Sequence, residues 1–419
     1  MSEGLGGSAR AAGRGLSEHE SRVCAAIARR GSDLLADLAG HVAIPSGTGH
    51  APGIDEYRGR LVARLERLGA TAVHVPGDSR PEWLTLPNAR GGASGAAPST
   101  VVATRTTSTS QRPSILIAGH VDTVHDPFGP FQTLSIAPDA ATAVGPGAAD
   151  MKGGILVALV ALEALADAGV DLPWTFLLNA DEETGSFHSA AALMAAASAH
   201  RIGLALEPAL PDGSLVVERM GTGQFHVEVH GRAAHVGRDF EKGVSAVYEL
   251  ATLIGRMRDL IDLPGGAIVN VGPLTGGQVT NAVPDHAACW GNVRFADAVA
   301  QGRLDESFGA LATSGDLLPR VIVDKAFNRP AKPLTPAVES LALAAREAAG
   351  DLGQALPFAR TGGVCDGNIL QSAGLPTIDT LGVRGGNLHR SDEFVEVRSL
   401  VERSQLFAVL FQRLALHSG

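Results

Sequence analysis

Five short segments concentrate imidazole and carboxylate side chains. They are Gly119-His120-Val121-Asp122-Thr123, Gly147-Ala148-Ala149-Asp150-Met151-Lys152, Asp181-Glu182-Glu183-Thr184, Leu206-Glu207-Pro208 and Leu388-His389-Arg390-Ser391-Asp392-Glu393. Alone, each has an ordinary reading: a His-x-Asp at a strand end is usually a satisfied histidine, a Glu-Glu pair a solvated turn, and Asp150 a helix N-cap. Converging at one sheet edge, the same carboxylates would repel one another unless cations sat between them. Two histidines and several carboxylates, with no cysteine at those points, suit Zn²⁺ or a harder ion such as Mn²⁺ or Co²⁺. Of two adjacent glutamates, one can ligate while its neighbour stays free as the general base for an activated water.

Groups so placed need strands that stop just before them. Ser114–Ala118 is a short apolar run ending at Gly119, as expected of a strand buried on both faces. Ile155–Ala166 reads as an Ala/Leu-rich helix, Trp174–Leu178 as a buried strand, Ala190–Ala197 as a helix and Ile202–Leu206 as a strand. This alternation predicts an α/β domain, a mainly parallel sheet with helices on both faces, which builds its site beyond the strands' C-terminal ends. Upstream, Leu16–Leu38 and Leu61–Leu68 carry helical spacing. Val101–Thr106 reads as part of a loose hairpin within a Gly/Ala/Ser/Thr-rich stretch.

Near Leu215 the pattern changes. Phe225, Val227 and Val229 alternate with His226, Glu228 and His230, as in a half-buried strand. A helix at Val244–Arg258, strands at Ala267–Val271 and Ala288–Phe295, a helix at Asp305–Leu311 and a strand at Arg320–Asp324 complete a βαββαβ order. That order marks a ferredoxin-like α+β unit. The helix Ala337–Ala349, strand Pro376–Leu381 and closing helix Ser399–Leu416 return to the earlier style. The predicted organisation is a discontinuous metal-binding catalytic domain at 18–214 and 327–419, an insert at 215–326 and a flexible tail at 1–17.

Composition narrows the partners. At about 150 residues per domain, 419 residues allow two to three domains. Lys plus Arg number 34 against 44 Asp plus Glu, a net charge of −10 that gives no general pull on nucleic acid or anionic membranes. Three scattered cysteines imply no disulfide framework, and neither a secretory leader nor a membrane-length apolar run is visible. The expectation is a cytoplasmic protein with a small-molecule substrate.

Taken as an ordered set, GHVDT, GPGAADMKGG, ADEETGS, LEP and NLHRSDE resemble the M20 family of dinuclear metallopeptidases and aminoacylases, closest to its glutamate-carboxypeptidase branch. The resemblance runs from about Leu34 to the C-terminus and implies a catalytic domain with an inserted ferredoxin-like domain for dimerisation or lid closure. It implies that His120, Asp150 and Glu207 hold one divalent ion and Asp150, Glu183 and His389 another, with Asp150 bridging. Zn²⁺ leads, with Mn²⁺ or Co²⁺ as alternatives. Glu182 would be the general base and later the acid, Asp122 would orient His120, and the Asp150–Met151 peptide would be cis.

In the insert, GRAAHVG matches the family segment whose histidine, here His235, reaches across a homodimer to the oxyanion of the partner's site. VTNAVP offers Asn281 to a substrate carboxylate. Arg294, Arg329 and Gly363 match substrate-side positions, and both arginines read equally well as ordinary surface pairs. The implied reaction is hydrolysis of an amide C–N bond in a small carboxylate-bearing substrate, such as an N-acyl amino acid or short peptide. One rival is a relative acting on a non-peptide C–N bond, such as a deaminating hydrolase of an aromatic amine. Another is a non-catalytic metal binder, against which the extra unligated Glu182 speaks. Gly221-Thr222-Gly223 lacks the further glycine and helix of a nucleotide loop, Cys365 reads as packing, and His125 and Asp126 read as loop residues, with a water-mediated role at the site as the alternative.

Overall fold

A computed structural model of the protein describes residues 14–87, 97–108 and 114–417. Its central sheet has six strands in the order Thr71–Val75, Thr100–Arg105, Trp174–Asn179, Ile115–His120, Ile202–Ala205 and Thr377–Ile378. The last four are mutually parallel, while Thr100–Arg105 runs against both of its neighbours. Ile115, Ile117, Phe176 and Leu178 enter one large apolar cluster with the helices Gly154–Asp167 and Val397–His417. Leu116, Ala118 and Leu177 enter a second cluster with Ala190–Ala199 and Asp366–Ser372. A strand covered on both faces needs no polar alternation, which explains the continuous apolar runs.

The upstream elements differ from expectation. Leu16–Leu38 forms two helices, Glu18–Arg29 and Gly31–Val42, because the chain leaves helical geometry at Arg30 and the following Gly31 favours a break. Leu61–Leu68 falls in and just beyond the C-terminal half of a longer helix, Ala51–Arg67. The expected loose hairpin at Val101–Thr106 is an inner strand of the main sheet, concealed by its shortness and its Gly/Ser-rich flanks. Of the tail expected at 1–17, residues 1–13 lie outside the described residues. Ser17 caps the first helix in a reciprocal pair with Glu20, and the Gly15 N–H donates to Asp351.

The second sheet is wholly antiparallel, in the order Ala267–Gly276, His286–Phe295, Gly221–His230, Arg320–Arg329. Helices Ala246–Arg258 and Ala298–Gly309 pack on one face against Phe225, Val227 and Val229, which gives the ferredoxin-like arrangement its own core. Leu215–Arg219, read from sequence as the start of the insert, instead pairs in parallel with Phe358–Thr361 and sends Leu215 and Val217 into the larger core.

The two strands that cross between the units are fastened together. Arg219 and Lys332 exchange backbone hydrogen bonds of 2.9 and 3.0 Å. Both also reach the buried Asp379: Arg219 Nε at 3.0 Å, its Nη2 at 2.7 Å and Lys332 Nζ at 3.3 Å.

Candidate metal centre

Three adjacent parallel strands deliver the site at their C-terminal ends, where open α/β sheets place their ligands. His120 is the last residue of Ile115–His120, Glu182 and Glu183 open the turn after Trp174–Asn179, and Glu207 follows Ile202–Ala205. Asp150 comes from the loop before Gly154–Asp167, and its peptide bond to Met151 is cis. Gly147 starts that loop at φ +66°, where a Cβ would meet the Thr123 methyl at 2.6 Å, so only glycine fits. His389 sits in the C-terminal loop, 55% exposed, with φ +65°.

Asp150 lies between the two histidines. Its Oδ1 is 3.3 Å from His120 Nε2 and its Oδ2 is 3.4 Å from His389 Nε2, which is also 3.4 Å from Glu183 Oε2. His120, Asp150 and Glu183 offer ligand atoms within 4.8 Å of one another. Buried His120 Nε2, Asp150 Oδ1 and Glu183 Oε1 lack hydrogen-bond partners. Orphaned buried polar atoms are costly, and three of them converging with this donor chemistry fit a divalent cation.

The electrostatics agree. Burial and the Asp150 charge push the Glu183 carboxyl up to about 10. Burial lifts Glu182 to about 7, although Arg329 pulls it down, and Glu207 is driven well above the usual carboxylate range by burial and by Glu182. Burial would also raise Asp150, but hydrogen bonds to His120 and His389 hold it low. Carboxylates that resist ionisation together are relieved by positive charge among them.

Supporting contacts fix these groups. His120 Nδ1 lies 2.9 Å from the Asp122 main-chain oxygen, which leaves Nε2 for ligation. The Asp122 carboxylate, 3.4 Å from that ring, accepts from the Glu182 and Glu183 N–H groups at 3.2 Å each and from Thr48 at 3.1 Å. One aspartate therefore ties the histidine strand to the glutamate turn. Glu393, which had no assigned role in the sequence, accepts N–H bonds from Gly147, Ala149 and Asp150 at 3.1, 2.8 and 3.0 Å and pairs with His125 at 2.6 Å. His125 is thus more than a loop residue. Lys152 anchors the same loop by donating to the carbonyls of His41 and Ile44.

The substrate-side residues are less gathered. Arg329 is buried and reaches the Glu182 carbonyl at 2.8 Å, the Glu182 carboxylate at 2.7 Å and Ser186 Oγ at 2.7 Å, so it braces Glu182 and is no ordinary surface pair. Arg294 is half-buried with its Nη1 unbonded. Gly363 is exposed, and its carbonyl accepts from Arg219 at 3.1 Å. His235 and Asn281 are exposed on or beside a small ribbon pairing Ala234–His235 with Ala282–Val283, and no contact joins either to the His120 cluster among the described residues. Cys365 is buried, and that burial pushes its thiol far from ionisation, in keeping with packing.

Comparison with known proteins agrees with this geometry. The family model "Peptidase family M20/M25/M40" matches residues 116–413. Carboxypeptidase G2 of Pseudomonas sp. (strain RS-16) is 29% identical over 393 residues, covering 89% of this chain and 87% of that protein. A solved tripeptidase from Staphylococcus aureus superposes with a TM-score of 0.69 at 22% identity, covering 91% of this chain and 97% of the other. A dinuclear metal-binding M20 peptidase of Bacillus subtilis gives 0.64 at 17%, covering 93% and 99%. A match over most of the chain, carrying the segments that converge around Asp150, makes the protein a member of peptidase family M20/M25/M40.

Proposed function

We propose that this protein cleaves the amide C–N bond of an N-acyl amino acid or short peptide bearing a free carboxylate, with Glu182 as the proton carrier. As a family member the chain is a metal-dependent hydrolase of amide bonds in small substrates. The observation that carries the finer reading is the set of unpartnered ligand atoms on His120, Asp150 and Glu183 beside a glutamate, Glu182, that stays outside the set. His120, Asp150 and Glu207 would hold one divalent ion and Asp150, Glu183 and His389 a second, Zn²⁺ before Mn²⁺ or Co²⁺. Such ions polarise a carbonyl and lower the pKa of water.

Glu182, braced by Arg329, takes a proton from the attacking water and returns it to the departing amine. The unbonded Nη1 of Arg294 suits a substrate carboxylate. Asn281, Arg329 and Gly363 complete the substrate side, Arg329 acting through Glu182. His235, exposed on its ribbon, would donate to the oxyanion in a partner subunit's site, which makes the working unit a homodimer. Domains at 18–214 and 327–419 and at 215–326 fit the two cores once Leu215–Arg219 is moved to the first and residues 327–329, the end of the strand Arg320–Arg329, to the second. Three free, buried cysteines fit a reducing cytoplasm. No helix among the described residues is long and apolar enough to cross a membrane.

The test is a panel of N-acyl amino acids, dipeptides and aryl amines offered to metal-stripped and metal-reconstituted protein, scored by released amine. The expected result is turnover of an acyl amino acid or dipeptide that depends on metal. Turnover confined to aryl amines, or none at full metal loading, would replace this reading with one of its rivals.

A further inference from the structure

The strand Gly221–His230 turns its apolar residues toward the helices and so puts His226, Glu228 and His230 on the opposite face of the second sheet, where His226 is buried against Trp290 while Glu228 and His230 are partly exposed. Its register with His286–Phe295 sets His286 opposite His230 and the small Ala288 opposite Glu228. His286 Nε2 lies 2.8 Å from Glu228 Oε1, and His230 Nε2 lies 3.5 Å from the same oxygen. The two imidazoles meet edge to face, 5.5 Å between centroids. Ligand atoms of all three residues fall within 4.8 Å of one another, and the side chains are 28%, 39% and 50% exposed for Glu228, His230 and His286.

We infer that Glu228, His230 and His286 form a further metal site, a solvent-facing clip for one divalent transition ion of the zinc class, separate from the centre around Asp150. Zinc bonds of about 2.0–2.2 Å in tetrahedral geometry put neighbouring donors roughly 3.3–3.5 Å apart, close to the spacing already present. Two imidazoles and one carboxylate, with a fourth position open to water, form a recognised three-ligand zinc set, and imidazole favours Zn²⁺, Cu²⁺ or Ni²⁺ over Mg²⁺ or Ca²⁺. Both strands lie inside a four-stranded sheet, so the donors sit on a stiff frame. Arg320 stands across from His230 on the third strand, so the Glu228 charge is needed to make the patch attractive to a cation.

The position gives the site a consequence. His230 and His286 are the roots of the ribbon that carries His235 and Asn281, where Gly231 N–H donates to the Asp285 carbonyl at 2.7 Å. An ion bound there ties the two roots together.

The test uses full-length protein equilibrated with micromolar Zn²⁺ and measures bound zinc by elemental analysis. The doubly substituted His230→Gln, His286→Gln protein is expected to hold one ion fewer per chain than the parent, whatever number the parent holds elsewhere, and Glu228→Gln to bind that ion more weakly by calorimetric titration. Repeating the comparison in a His120→Ala, His389→Ala background, which dismantles the other centre, should show the same difference of one. Equal zinc in parent and double variant in both backgrounds overturns the site. An unchanged melting temperature of the metal-free variants, expected because His286 is exposed and His230 only half-buried, separates loss of a ligand from loss of fold. Turnover is not part of the readout, so failure here and failure of the amidohydrolase reading remain distinct.

Discussion

Glu182 and Arg329 are the residues whose substitution tests the chemistry most directly. Glu182→Gln keeps the size and hydrogen-bonding shape of the side chain but cannot carry a proton. It should leave bound metal, measured by elemental analysis, near the parent value while lowering kcat by roughly 10²–10⁴, the usual worth of general acid–base catalysis. Loss of an ion from this variant would make Glu182 a ligand. Arg329 lowers the Glu182 pKa through its charge. Without it, in Arg329→Met, Glu182 keeps its proton to higher pH, and a base acts only when unprotonated. The acid limb of the kcat/KM profile should therefore move up by about one pH unit. An unmoved limb would leave Arg329 a purely structural part. At this scale the sequence was most legible where local spacing carried the signal: His120, Asp150, Glu182, Glu183 and His389 sit in recognisable segments. Arg329's grip on Glu182 and Glu393's three N–H bonds link residues 147 and more than 240 positions apart, and no local pattern announces such contacts.

Among the elements, the first and last helices are joined by a buried ion pair. Arg413 of Val397–His417 meets Glu20 of Glu18–Arg29 at 2.7 Å and Asp351 at 2.8 Å. Burial would raise the Glu20 carboxyl, but the hydrogen bond from Arg413 lowers it to about 2 from an ordinary 4.5. A depressed folded-state pKa stabilises the protein above the unfolded value, and that contribution fades as pH falls from about 4.5 through about 2. Arg413→Met removes the cation between Glu20 and Asp351, leaving Glu20 the exposed Arg14 at 3.8 Å, and should cost about 3 kcal/mol in denaturant unfolding near neutral pH. The variant's stability should also vary less with pH over that acid window. A cost within experimental error of zero would mean that water replaces the guanidinium. The parallel strands were readable from their short continuous apolar runs and Gly154–Asp167 from its Ala/Leu content, whereas helical spacing alone misjudged the ends of the upstream helices. Thr100–Arg105 was not readable, because a six-residue strand between small polar residues lacks contrast, and only its two neighbours show that it is an inner strand.

For the whole molecule, the sharpest prediction concerns shared sites. If His235 serves a partner, mixing His235→Ala with Glu182→Gln chains under subunit exchange should produce dimers with one complete site in two. Activity should rise well above the sum of the parents, since loss of an oxyanion donor costs roughly 10²–10³ in kcat. Demonstrated exchange without a rise would confine His235 to its own chain or to no role. The insert's βαββαβ order was plain in the sequence, but its entry point was misplaced, because Leu215–Arg219 pairs with Phe358–Thr361, nearly 140 residues downstream. The paired crossing at Arg219 and Lys332 also governs how the second unit can move. Two adjacent pins on one buried post, Asp379, resist sliding or separation at the crossing, and a contact farther out, Trp290 Nε1–H donating to the Trp83 carbonyl at 2.7 Å, checks a swing about the line between them. Displacement in a swing grows with the lever arm. Arg329 lies three residues from Lys332 and stays near the pivot, whereas His235 lies beyond the far end of Gly221–His230, a strand of roughly 30 Å. Only a movement that broke the Trp290 contact would displace His235 far, and even then Arg329, beside the pivot, would keep its grip on Glu182.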